Sequence, residues 1–91
     1  MNTQYPSERF IPMTPIASDG PVLFIDSHAP LVDLHACANE RLLTALKYLN
    51  LIACATWRDS NENDINVTAN TARLLLQDAQ DLLTTIKIRT N

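Results

Sequence analysis

The chain has 91 residues, with 10 acidic side chains against 7 basic ones and a formal net charge of -3 at pH 7. This length makes one domain, close to the size at which a single core only just suffices. Acids and bases are mixed along the chain, which argues against nucleic-acid binding because such modules concentrate Lys and Arg on one face. With one glycine and 46% hydrophobic residues, the composition favours helices over turns and sheets.

Residues 1–20 hold three of the five prolines together with several polar side chains. We therefore expect an irregular or disordered N-terminal arm, anchored by Phe10, Ile11 and Met13. No apolar run follows a basic start, so no secretory signal is expected and the cytoplasm is the expected location. No segment approaches the length that spans a membrane.

The helical hairpin domain is expected over residues 21–91, and it begins with a strand at residues 22–26. This segment is rich in β-branched and aromatic residues and is bounded by Gly20 and Pro21 before it and by a turn after it. Because a lone strand is not stable, it must pair either with residues near Phe10 to Met13 or with its own copy in a second subunit.

A long amphipathic helix is predicted over residues 30–57, with Pro30 in its first turn. One face forms a stripe in which residues recur at a mean step of 3.5: Leu31, Leu34, Ala38, Leu42, Ala45, Leu49, Ile52 and Thr56. His35, Leu46 and Ala53 widen this stripe. Such a helix is roughly 40 Å long and needs a partner of comparable length.

The polar stretch 58–63 predicts a helix-to-helix connection. A second helix is predicted over residues 64–87, with an apolar stripe made of Ile65, Ala69, Ala72, Leu75, Leu76, Ala79, Leu82, Leu83 and Ile86. Asp78 and Asp81 lie three residues apart on what the pattern marks as the solvated face. The short connection makes the two helices antiparallel neighbours.

Two helices alone leave one side of each stripe exposed, and small scaffolds of this kind gain a second layer by self-association. Further apolar positions lie away from the main stripes. We therefore predict a homodimer with a four-helix arrangement, the alternative being a monomer whose arm covers the stripe. The candidate interface residues are Cys37, Tyr48, Leu51, Ala55, Trp57 and Leu74.

No cofactor, metal site or catalytic site is predicted. Asp26, His28, Asp33, His35 and Cys37 are potential metal ligands, but those within the helix are spaced by two and point to different faces. His28 is therefore interpreted as a solvated or capping residue and His35 as a core residue. Cys37 and Cys54 lie about 25 Å apart along one helix and cannot bond within the chain. The sequence has no glycine-rich phosphate loop and no GxSxG, CxxC or HExxH motif.

The order of a Leu-Phe-Ile-Asp strand, a turn with Pro30, an Ala/Leu helix, a polar loop and a second Ala/Leu helix resembles a family of short uncharacterised bacterial proteins. In that family an LFxV-type strand precedes a helical hairpin. The resemblance spans roughly residues 22–86 and is carried by Leu23, Phe24, Ile25, Pro30, Leu34, Ala38, Leu42, Leu43, Ala72, Leu75 and Leu76. This chain departs from the family because Asp33 is the only acidic residue at the helix start. The resemblance implies a fold but identifies no functional site.

These features favour a small non-enzymatic protein of bacterial or phage type that regulates another protein by binding and masking it. Its expected partners are a second copy of itself and an unidentified protein. One alternative is a nucleic-acid-associated regulatory factor. It would need one basic patch, formed either by Arg41, Lys47 and Arg58 or by Lys87 and Arg89 from paired subunits. A small metal-binding protein centred on His28 and His35 is a further alternative.

Overall fold

The structure is a computed structural model that describes residues 8–54 and 62–90. Two short strands, β1 (Phe10–Pro12) and β2 (Phe24–Asp26), precede two long helices, α1 (Leu31–Cys54) and α2 (Glu62–Thr90). The helices form an antiparallel hairpin, which confirms the predicted mainly α fold with a short N-terminal strand. The predicted end of the first helix, at residues 55–57, and most of the polar connection lie outside the described residues.

The predicted strand pairs with the N-terminal arm, the first of the two options that the sequence left open. β1 and β2 are antiparallel, with Ile11 opposite Ile25. The pairing extends past both ends of β2, because the Met13 N–H donates to the Leu23 carbonyl at 2.8 Å and the Ser27 N–H donates to the Arg9 carbonyl at 2.7 Å. The arm, expected to be irregular, thus contains a strand where its backbone pairs with β2.

α1 begins where the chain leaves the hairpin of strands. The Pro30 carbonyl accepts the first helical hydrogen bonds, from the N–H groups of Asp33 at 2.9 Å and Leu34 at 3.1 Å. α2 begins two residues before the predicted start and ends three residues after the predicted end. Its last turn carries Lys87 and Arg89, where positive charge suits the helix dipole. The buried Arg89 side chain also donates to the Ala29 carbonyl, which ties this end of α2 to the start of α1.

Alanines form the contact between the two helices. Ala45 and Ala79 are 0% exposed and Ala38 and Ala72 are 1% exposed. In each helix the two alanines are seven residues apart, so they lie on one side of it. Small side chains allow helix backbones to approach closely, and this seam of alanines fixes how near α1 and α2 come.

The main core lies at one end of the helical hairpin, where the strands pack against it. It consists of Ile25 from β2, Leu34 and Ala38 from α1, and Leu82 and Ile86 from α2. Met13, Ala29 and Leu31 pack around this cluster. The strands therefore cover only part of the hairpin, and the molecule is elongated, with extents of 55 × 30 × 16 Å.

Candidate interaction surfaces

One side of the helical hairpin carries a row of exposed leucines. Leu46 is 53% exposed and Leu49 is 41% exposed, while Leu76 and Leu83 are each 39% exposed. Together with the half-buried Leu42 they form a surface that we call the open helix face. Leu42 and Leu49 are seven residues apart, as are Leu76 and Leu83, so each pair lies on one side of its helix. The sequence predicts that two helices alone leave one side of each apolar stripe exposed, and the open helix face is that side.

A groove between the helices joins the two rows of leucines into one surface. It has a volume of about 380 Å³, and Leu49 from α1 and Leu76 from α2 both line it. The remaining lining residues are Ala69, Ala72, Arg73, Gln77 and Gln80. The surface is thus apolar along its middle, with amide and guanidinium groups at its edge. This pattern is typical of protein interfaces, in which a polar rim surrounds an apolar centre.

The N-terminal arm is fastened to α2 through hydrogen bonds at Thr14. Asp81 accepts hydrogen bonds from the backbone N–H and the hydroxyl of Thr14, each at 2.9 Å, and Gln77 Nε2 donates to the same carboxylate at 3.1 Å. Asp81 was assigned to the solvated face from the sequence, and it is only partly exposed because Thr14 of the arm packs over this side of α2. Asp78 is only partly exposed and pairs with Arg41, Nε to Oδ2, at 3.6 Å.

A second groove lies between the fastened arm and α2. Its volume is about 550 Å³, within the range of ligand-binding clefts. It is lined by Met13, Thr14, Pro15, Ile16, Ala17 and Ser18 from the arm, by Val22 and Leu23 just before β2, and by Leu74 and Asp78 from α2. We call it the arm groove. Its mouth is apolar, because Val22 is 72% exposed and Leu23 is 66% exposed.

An ion pair on the surface joins Arg9, just before β1, to Asp26, the last residue of β2. The Arg9 guanidinium donates through Nε and Nη2 to the two carboxylate oxygens of Asp26, both at 3.0 Å, and it lies over the Phe10 ring. The His28 backbone N–H also donates to Asp26 at 3.0 Å. The hydrogen bond from Arg9 is the main reason that the pKa of Asp26 is lowered from its ordinary 3.8. The same hydrogen bond raises the pKa of Arg9.

Because of the Arg9–Asp26 ion pair, we expect the stability of the fold to depend on pH in the acid range. Because the pKa of Asp26 is lower in the folded chain, the pair stabilises the fold above pH 3.8 and this contribution is lost as the pH falls through the lowered pKa. We expect the difference in melting temperature between the wild type and Asp26→Asn to shrink as the pH falls from about 6 to about 3. Thermal unfolding followed by circular dichroism at several pH values measures it. A difference that stays constant over this range would contradict the assignment.

No protein-family model, no curated protein and no solved structure matches the chain. Within the described residues, neither helix is long and apolar enough to cross a membrane.

The structure places the sequence-predicted interface residues on several parts of the molecule. Leu74 is 45% exposed and lies in the wall of the arm groove. On α1, Cys37 and Leu51 are exposed, and Tyr48 is half-buried. Ala55 and Trp57 lie outside the described residues. The leucines of the open helix face were assigned to the stripes in the sequence but were not named as an interface.

The residues considered for metal and nucleic-acid binding are dispersed. His35, interpreted as a core residue, is exposed, because the seam takes up only the side of α1 that carries Ala38 and Ala45. Across residues 8–54 and 62–90, no three His, Cys, Asp or Glu side chains come close enough together to hold a metal ion. Of the basic residues, Arg41 lies between Glu40 and Asp78 and Arg89 is buried, so these two do not contribute to an exposed basic patch.

Proposed function

We propose that this protein is a non-enzymatic regulatory protein that forms a homodimer through the open helix face and acts by binding and masking another protein. Two copies related by a two-fold axis would bury the same leucines from each side, which gives a four-helix arrangement. The observation that carries the proposal is the row of leucines that runs along both helices on one side of the alanine seam.

We also propose a cytoplasmic location, a bacterial or phage origin and a role in binding another protein. Cys37 and Cys54 are both free and exposed, which suits the reducing cytoplasm. A bacterial or phage origin stays a prediction from the sequence pattern alone. A binding role is supported by the exposed apolar residues of the strands and the arm groove, which lie away from the open helix face.

Two lysines in the open helix face are expected to separate the subunits. We expect the wild type to have twice its chain mass in light scattering after gel filtration, and the double variant Leu46→Lys, Leu76→Lys to have the mass of one chain. A dimer of the double variant would bury four ammonium groups without partners, at a cost of several kcal/mol each. The dissociation constant should rise more than about a hundredfold.

The matched control is Val32→Lys with Val67→Lys, which adds the same charge at exposed positions outside the open helix face. This control should remain dimeric, and circular dichroism should confirm that both double variants are helical. A wild type that stays at the mass of one chain up to high concentration would refute the dimer. Equal loss of the dimer in both double variants would refute the assigned face.

A further inference from the structure

The outer edge of β2 has backbone groups that face away from β1. In an antiparallel pair, opposite residues alternate between hydrogen-bonded and non-hydrogen-bonded positions. The bonds that join Met13 to Leu23 and Ser27 to Arg9 place Phe24 at a non-hydrogen-bonded position, opposite Pro12. The N–H and C=O of Phe24 therefore point outward. Within the described residues the sheet has two strands, so no third strand covers this edge.

The free edge continues into the mouth of the arm groove. Val22 and Leu23 line the groove and lead directly into β2, and the Phe24 side chain is 51% exposed. A chain paired along this edge would place alternate side chains against the groove. The edge thus offers backbone hydrogen bonds beside an apolar pocket, the combination that domains use to capture an extended peptide.

The charge around the arm groove favours one kind of bound segment over another. Asp19 is exposed in the loop within the segment that lines the groove, and residues 13–23 contain no basic side chain. Asp78 in the groove wall pairs with Arg41, so Asp19 leaves the rim of the groove with a net negative charge. A second copy of β2 would bring Asp26 already paired with Arg9, so it offers no net positive charge to this edge. An apolar segment that carries Lys or Arg has the complementary charge.

We propose that the edge of β2 binds an extended segment of another protein, in which apolar residues alternate with polar ones that include Lys or Arg, as a third strand beside the arm groove. This inference rests on the proposed function, because it names the surface with which the protein would hold the partner that it masks. The open helix face stays free for the second copy, so one dimer would present two such sites.

A proline at position 24 tests the edge directly. Phe24→Pro removes the outward N–H, and it spares the bonds between β1 and β2 because Phe24 is at a non-hydrogen-bonded position. The cross-strand neighbour Pro12 already tolerates the same loss. The matched control is Phe24→Ala, which also loses the aromatic ring but keeps the N–H. Both variants should have the circular dichroism spectrum of the wild type.

The probe comes from a random twelve-residue peptide display library selected on the full wild-type chain. The enriched peptides, made in soluble fluorescent form, are then measured by anisotropy. We expect them to alternate apolar and polar residues and to carry Lys or Arg. We expect Phe24→Pro to weaken binding roughly tenfold or more relative to Phe24→Ala, because a peptide carbonyl loses its donor. The Phe24 amide of the wild type should become protected from hydrogen exchange when peptide is added.

Failure to enrich any peptide, or equal binding by the proline and alanine variants, would overturn this assignment. Binding that is lost in Leu46→Lys, Leu76→Lys but kept in Phe24→Pro would move the peptide site to the open helix face. These outcomes are separate from a failure of the proposed dimer, which light scattering reports without any peptide. A monomer that binds peptide through Phe24 would keep the edge and refute the dimer.

Discussion

Replacing Leu82 by alanine is expected to lower the free energy of unfolding by about 2–5 kcal/mol. Leu82 is 6% exposed and belongs to the cluster in which Ile25 of β2 meets Leu34 of α1 and Ile86 of α2. The truncation removes apolar contacts and leaves a cavity at the point where three elements meet. A domain of this size has a total stability on the order of 5–15 kcal/mol, so the loss is a large fraction of it.

Urea unfolding followed by circular dichroism measures this loss at one fixed protein concentration, since the proposed dimer would make stability depend on concentration. The matched control is Leu43→Ala, the same change at a position of α1 that is 60% exposed. The control should change the free energy of unfolding by no more than about 0.5 kcal/mol. Equal losses in the two variants would mean that the cluster around Ile25 is not the core of this protein.

The elements that could be predicted from the sequence are those with a local signal. α1 follows from apolar residues at helical spacing after Pro30, and β2 lies within the segment 22–26, which has β-branched and aromatic residues between two turns. The hairpin of helices follows from two such stripes joined by a short polar stretch. The ends of α2 differ from the prediction because terminal turns depend on tertiary contacts such as that of Arg89 with Ala29.

Contacts between distant residues had no local signal. The bonds of Asp81 join residues that are 67 positions apart in the sequence, and a helical pattern classes Asp81 as solvent-facing. The same contact explains why the arm groove could not be predicted, since the groove exists only where Thr14 is held against α2. Leu74 was singled out as an apolar residue off the main stripe, and that signal did find one wall of the groove.

The open helix face shows a different limit of sequence patterns. Periodicity gives the width of an apolar stripe but does not say which part of it meets the neighbouring helix. The small size of Ala38, Ala45, Ala72 and Ala79 was the available signal, because alanines seven residues apart mark where two helices approach most closely. Leucines beside that seam are then left exposed, as Leu46 and Leu76 are here.

Placing leucine at Ala79 is expected to destabilise the fold by about 1–3 kcal/mol. Ala79 is 0% exposed in the seam, so a larger side chain has no space unless the helices separate. Separation would also shift Asp81, two residues later, away from Thr14 and would widen the open helix face. We therefore expect the melting temperature to fall by about 4–8 °C for each kcal/mol lost, and dimerisation to weaken in the same variant.

The control for this change is Ala36→Leu, which adds the same atoms at an exposed position of α1 and should leave the melting temperature nearly unchanged. Melting curves and light scattering on the same samples separate the two effects. A melting temperature equal to that of the wild type in Ala79→Leu would mean that the helices do not meet along the alanines. In that case the leucines of the open helix face would lose the reason for their exposure, and the proposed dimer would lose its main support.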